Sequence, residues 1–370
     1  MTSKPSPRVL LLDGNYSHSV SVARELEECL GATVIAACDS PSAFAARSRH
    51  VSETVRVPSA DSNGYGEALE EIITAARPDV VVPVGYRSTS AMVDLASSGL
   101  AVPVAAPGAK DFGFAEDKLA TYQLAAVLGV RHPRDFTASV APLGKTDELP
   151  VPFIAKARYE RGGSTVHVIR SRAEFDAHLA DKGDEEFIYQ EFVDTPPITY
   201  AHCGVFENGR PLAEFQHVEL RSVPRHGGSG TRLASIRDSE LATEARKLLR
   251  AAEWTGLAQV EFKRDRDGRL VIMEINPKVW ASYALASRSR APLISGAVRQ
   301  ALSLPSVFVP EYRSGVRMVF PVREALHVLR NREFAEVPKA LAAMAWPPSH
   351  VDVEVGDLAA YVPIKQKSRA

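Results

Sequence analysis

"LAQVEFKRDRDGRLVIMEINPK", residues 257–278, reads as two strands joined by a tight turn at Asp267–Gly268. With the turn centred there, Glu261 stands opposite residue 274 and Gln259 opposite residue 276. Side chains alternate faces with a period of two. Ala258, Val260 and Phe262 therefore share one face with Val271, Met273 and Ile275. Gln259 and Glu261 share the other with Glu274, Asn276 and, if the chain stays extended past Pro277, Lys278.

Two glutamates directly opposed on a half-buried face repel each other and cannot both ionise cheaply. A divalent cation supplies the missing positive charge. Two carboxylates and an amide carbonyl form an all-oxygen set, which suits Mg²⁺ or Mn²⁺ rather than zinc. Mg²⁺ held by one or two carboxylates is usually completed by substrate phosphates, so the hairpin predicts a nucleotide. The plain alternative is a solvated sheet face with incidental charges. The paired glutamates, the following Asn-Pro-Lys and the lysines upstream weigh against it.

The first third alternates buried strands and helices. "RVLLLDG" is a parallel strand, and "SVSVARELEECLG" an amphipathic helix stopped by Gly31. "ATVIAACDS" is a second strand, "GYGEALEEIITAARPD" a helix, "VVVPVG" a third strand and "STSAMVDLASSG" a helix. This alternation predicts an open, mostly parallel α/β sheet, with ligands expected at its carboxyl ends near Gly14 and Gly85. "DGNYSH" is not the dinucleotide fingerprint.

Beyond about residue 112 the pattern turns α+β. Residues 115–133 predict a helix ending near Gly129. "FIAKA" is a strand carrying Lys156, "RYERGGSTVHVI" a glycine-bearing hairpin connection, "SRAEFDAHLA" a helix and "EFIYQEFV" a strand. Asn208–Gly209 is a hairpin turn, and a helix spans about 238–253. The proline-rich tail has a helical stretch, "REFAEVPKALAAMAW", and no role visible in the sequence.

In order and spacing, Lys118, Lys156 before "RGGS", "YQEFV", Glu261 and "EINPK" resemble the ATP-grasp superfamily, in particular its carboxylate–amine ligases and carbamoyl-phosphate-synthase-like members. The likeness covers roughly 112–290. It implies an α/β open parallel-sheet domain at 1–112 and an α+β ATP-grasp domain at 113–300. That domain comprises subdomains 113–193 and 194–300 clasping ATP, with a C-terminal extension at 301–370. It implies that Lys118 and Lys156 contact ATP phosphates and that Gly162, Gly163 and Ser164 cover them as a loop. Gln190, Glu191, Phe192 and Val193 would form the adenine hinge, with main-chain pairing at Glu191 and Val193. Glu261, Glu274 and Asn276 would hold Mg²⁺ or Mn²⁺. Arg221 and Arg232, flanking "HGGSG", and Lys278 are the candidate catalytic cations, and His226 a candidate acceptor-side base. Lys278 departs from the family, where arginine commonly clamps substrate two residues after this asparagine. Lysine keeps the charge and loses the planar fork.

The implied activity is an ADP-forming ligase joining a small-molecule carboxylate and an amine through an acyl-phosphate. The alternatives are a bicarbonate-activating carboxyphosphate- or carbamate-forming enzyme, and a catalytically decayed nucleotide-binding regulator. No biotin attachment motif or glutamine-hydrolysing segment is evident. The 370 residues allow about two or three domains. A net charge of −1 gives no electrostatic grip on nucleic acid or membrane. Three scattered cysteines and no signal-like or membrane-spanning run predict a cytoplasmic protein. A homodimer is the one assembly expected, with the oligomeric state open.

Overall fold

A computed structural model describes residues 6–140, 151–159, 166–223, 229–305, 311–345, 349–351, 353 and 355–361. Its first sheet holds β1 (Arg8–Leu11), β2 (Thr33–Cys38), β3 (Glu53–Arg56) and β4 (Val80–Val82), all parallel, in the order β3-β2-β1-β4. The expected apolar runs are β1, β2 and β4. β3 is additional: its "ETVR" is mostly exposed and carries no apolar run, so only edge pairing with β2 makes it a strand. The helix His18–Leu30 stops at Gly31, whose φ of 61° is left-handed. Strand order reverses between β1 and β4, which opens the crevice there. Asp13 bridges it, accepting from the N–H groups of Val84 at 3.1 Å and Gly85 at 2.7 Å and from the Ser88 hydroxyl.

The helix expected over 115–133 is two helices, Ala109–Glu116 and Lys118–Val127. Asp117 separates them with extended backbone. Its carboxylate caps the second helix by accepting from Leu119 N–H at 3.0 Å and Ala120 N–H at 3.4 Å. Arg158 fixes that carboxylate with two further bonds of 2.9 and 2.7 Å. A cap anchored this way outweighs helix continuity.

A three-stranded antiparallel sheet follows: β5 (Phe153–Ala157), β6 (Val166–Ile169) and β7 (Phe187–Glu191), in the order β6-β5-β7. The third sheet comprises β8 (Thr199–Glu207), β9 (Arg210–Val223), β10 (Ser229–Ser235), β11 (Gly256–Arg264), β12 (Leu270–Asn276), β13 (Arg317–Val319) and β14 (Ser349–Val351). Their order is β12-β11-β8-β9-β10-β13-β14, antiparallel apart from the β13–β14 pair. Asn208 and Gly209 both take positive φ in the β8–β9 turn, and a Cβ on Gly209 would meet the Arg250 backbone at 2.5 Å.

The tail has a structural place that its sequence did not disclose. β13 and β14 extend the third sheet, and the helix Pro321–Asn331 packs over β9 and β10. Asp357 reaches the first part of the chain, accepting from Arg49 N–H at 3.1 Å and from the Ser48 hydroxyl. The three cysteines are free. Among the described residues no helix is long and apolar enough to cross a membrane.

Candidate active site

β11 and β12 pair with Glu261 opposite Glu274 and Gln259 opposite Asn276, the expected register. A β-bulge then shifts the register, so Phe262 faces Ile272 and Lys263 faces Val271. Ile272 and Ile275 therefore pack with Ala258, Val260 and Phe262. The expectation that Val271 and Met273 share that face is corrected by the bulge. The Met273 carbonyl is left to accept from the Tyr122 hydroxyl at 2.6 Å and from Lys156 Nζ at 3.5 Å.

β8 lies between β11 and β9, with Ala201 paired to both Glu261 and His217. Glu274, Glu261, Ala201 and His217 thus form one row on the polar face of the sheet. Glu219, two residues beyond His217, shares that face.

Lys156 projects from β5 onto the same face, with Nζ 2.9 Å from Glu274 Oε2. That ammonium, against the effect of burial, holds the Glu274 carboxyl below the usual carboxylate range, with Lys118 and Lys278 adding to it. Glu261 moves the other way, pushed up by burial and then by the charges of Glu274 and Glu219. Lys118 is buried at the first position of its helix. Asn276 Nδ2 donates to Glu261 Oε1 at 3.2 Å and to Glu274 Oε1 at 3.4 Å. Its Oδ1 accepts from Lys278 Nζ at 3.3 Å, and that ammonium lies 6.0 Å from the Tyr86 ring centroid.

The donor set fits a hard divalent cation. Two opposed carboxylates stand together, only Glu274 is paired directly with an ammonium, and one amide reaches both. To ligate, Asn276 would turn Oδ1 inward in place of Nδ2. Among the described residues no three His, Cys, Asp or Glu side chains gather where they could hold a metal ion by themselves.

Gln190 and Ile188 on β7 share the face of Lys156, since Lys156 pairs with Ile188 and Ile154 with Gln190. Gln190 is buried, and its Oε1 has no hydrogen-bond partner. An orphaned buried acceptor beside the slot fits an incoming amino donor, such as that of an adenine. The Glu191 N–H already donates to the Arg134 carbonyl at 2.8 Å, which leaves the Glu191 carbonyl for the expected main-chain pairing. Phe192 and Val193 are half-buried. Gly162, Gly163, Ser164 and His226 lie outside the described residues.

Arg221 and Arg232 are both engaged by Glu324 of the tail helix. Arg221 also pairs with Glu333 at 2.7 Å. Sequence reasoning missed Glu219, although the alternation His217, Glu219, Arg221 marks one strand face. Burial raises the Glu219 carboxyl to about 7. Its carboxyl rests over Gly230, where a Cβ would fall 2.6 Å from Glu219 Cδ, so a larger residue there would displace it. Beside Tyr86, an open cleft of about 570 Å³ is lined by Tyr65, Arg87, Ser90, Asp94 and Glu116 among others.

No family model matches the chain. It is similar to the carbamoyl phosphate synthase large chain of Halomonas eurihalina, 27% identical over 249 residues, which are 60% of this chain and 23% of that one. It is also similar to the formate-dependent phosphoribosylglycinamide formyltransferase of Bacteroides fragilis, 24% identical over 69% of this chain and 68% of that one. The chain spans about a quarter of the length of the carbamoyl phosphate synthase large chains it matches. Among solved structures, N5-carboxyaminoimidazole synthetase from Staphylococcus aureus matches with a TM-score of 0.66 at 15% identity, over 90% of this chain and 86% of that one. A biotin carboxylase complex from Campylobacter jejuni matches with a TM-score of 0.66 at 15% identity, over 84% and 74%. The chain has an ATP-grasp fold. In this fold the polar slot lies between the β5–β7 sheet and the β11–β12 hairpin, and the Lys156–Glu274 pair crosses it.

Proposed function

We propose that the chain is an ATP-dependent, ADP-forming carboxylate–amine ligase. In this reading residues 1–112 precede an ATP-grasp domain at 113–300, whose subdomains 113–193 and 194–300 clasp the nucleotide, and 301–370 extend it. The observation that carries the reading is the opposed, buried Glu261–Glu274 pair with Lys156 across the slot. The names of the sequence relatives support it.

Glu261, Glu274 and Asn276 would hold Mg²⁺, which would offset charge on the phosphoryl oxygens. Lys156 and Lys118 take the phosphates, Lys156 sharing its ammonium between Glu274 and a phosphate oxygen. A substrate carboxylate oxygen attacks the γ-phosphorus, the bond from that phosphorus to the β,γ-bridging oxygen breaks, and ADP leaves. The amine lone pair then attacks the acyl carbon, phosphate departs, and the nitrogen releases a proton. Lys278 lowers the cost of bringing an anionic carboxylate to an anionic triphosphate. The cleft beside Tyr86, with Asp94 and Glu116 in its lining, suits approach of the amine.

The test is ADP release from Mg²⁺-ATP across a panel of amino acids, small carboxylates and amines, with mass detection of product. ADP with an amide product is expected, whereas AMP with pyrophosphate would overturn the mechanism. A second reading, bicarbonate activation, is favoured by the similarity to carbamoyl phosphate synthase large chains. ADP release that needs bicarbonate and no other carboxylate selects it.

A further inference from the structure

The C-terminal segment brings one more cation to the slot. Phe320 follows β13 and donates its N–H to the Thr231 carbonyl at 2.9 Å. The helix Pro321–Asn331 begins there, and Glu324 docks it against Arg221 and Arg232. Arg323, one residue earlier, takes no part in that docking. Its guanidinium lies 4.7 Å from the Phe320 ring centroid. It makes no ion pair among the described residues, and its Nη1 is buried without a hydrogen-bond partner. A buried charged donor left unpaired is costly, and an arriving acceptor removes that cost.

Its charge reaches another part of the chain. His18, at the start of its helix, stacks on Tyr16 with ring centroids 5.2 Å apart. Tyr16 lies against Gly85, where an added Cβ would meet its ring at 2.9 Å. The next residue, Tyr86, carries the Lys278 ammonium over its ring. The His18 imidazole is pushed down to about 4, first by burial and then by the charges of Arg323 and Lys278. The charges of both cations thus reach the His18 imidazole and oppose its protonation, and the charge of Arg323 reaches Glu219 beside the hairpin.

We propose that Arg323, Lys278 and His18 form the seat of the substrate carboxylate, with Arg323 supplying the planar grip that Lys278 lacks. The inference rests on the ligase reading above. A guanidinium offers two parallel N–H groups to the two carboxylate oxygens, whereas an ammonium is a point charge. Neutral His18 adds a hydrogen-bonding wall without further repulsion between the cations. The seat draws on the first domain, the residues after the hairpin and the tail, which gives the tail a role in substrate choice.

The test titrates the full chain with malonate and with inorganic phosphate by calorimetry, both with and without Mg²⁺ and a non-hydrolysable ATP analogue. Malonate should bind more tightly than phosphate. Arg323→Ala should weaken malonate binding by about tenfold or more, and Arg323→Lys nearly as much. Lys278→Arg added to Arg323→Ala should restore part of the loss by moving the fork. Affinity for the analogue and the melting temperature should hold, because Glu324 still docks the helix. Malonate affinity unchanged in Arg323→Ala, wild-type affinity in Arg323→Lys, or tighter phosphate binding overturns the proposal. A wild-type chain that fails to bind the analogue sinks the ligase reading instead, while the nucleotide-free titrations still report on Arg323.

Discussion

Lys156 Nζ lies 2.9 Å from Glu274 Oε2, joining β5 of one sheet to β12 of another across the slot. This pair holds the site together electrostatically before any ligand arrives. Without it, Glu261 and Glu274 face each other with much less counter-charge. Lys156→Met should therefore cost stability of roughly 3 kcal/mol, as for other broken buried pairs. Mg²⁺ should recover part of that, because a cation replaces the ammonium. Turnover of Mg²⁺-ATP should fall on the order of a hundredfold. Urea unfolding with and without Mg²⁺, beside an ADP-release assay, measures both; wild-type turnover would remove Lys156 from the phosphate site.

The two hairpin glutamates should respond oppositely to neutralisation. In metal-free protein Glu274→Gln strands the Lys156 ammonium, so the melting temperature should fall. Glu261→Gln replaces a carboxyl already driven toward its neutral form, so the melting temperature should hold or rise. Mg²⁺ should then stabilise the wild type but neither variant, and both should lose phosphoryl transfer on the order of a hundredfold. Thermal melts in chelator and in Mg²⁺ decide this. Equal Mg²⁺ stabilisation of wild type and Glu274→Gln would remove Glu274 from the metal site.

The hairpin register is legible in sequence because Asp267–Gly268 fixes the turn and alternation fixes the faces. The bulge after Glu261 is not legible, since its freed carbonyl is satisfied by Tyr122, 151 residues away, and by Lys156. Asp117 is legible only afterwards: as a capping residue it looks like any mid-helix aspartate until Arg158 reaches it. The role of the tail is invisible for the same reason. Glu324 meets Arg232 across 92 positions of sequence, and no local pattern announces such a partner. Glu219 lies on a strand whose alternation could be read, but its nearness to Glu261 follows from strand order.

Glu25 ties the first helix to the later chain. Its carboxyl accepts from the Tyr283 hydroxyl at 2.6 Å and from Ser295 N–H at 2.8 Å. Burial, against these bonds, raises it from 4.5 to about 7. The folded chain therefore binds this proton more tightly than the unfolded one. That contribution is full below 4.5 and is lost as pH rises through about 7. The slope in that window is at most about 1.4 kcal/mol per pH unit. Glu25→Gln should flatten the pH dependence of unfolding and be the more stable form above neutrality. Denaturant melts across this window check it, and parallel curves for the two proteins would contradict it.

Glu324 is 1% exposed, with Oε1 2.9 Å from Arg221 Nε and in contact with Arg232 Nη2. Removing its charge leaves Arg232 without this carboxylate, while Arg221 keeps its pair with Glu333. Glu324→Ala should destabilise the chain by about 3–5 kcal/mol. It should also loosen the helix Pro321–Asn331, so that limited proteolysis cuts earlier within that helix. Nucleotide binding in the slot should survive, because no slot residue contributes to this dock, whereas malonate affinity should fall with displacement of Arg323. Arg221→Met and Arg232→Met separate docking from chemistry. If they serve the dock, each lowers the unfolding midpoint and leaves ADP release per folded molecule near wild type. If they cut turnover at unchanged stability, they act on substrate, and the Glu324 pairing is incidental to their work.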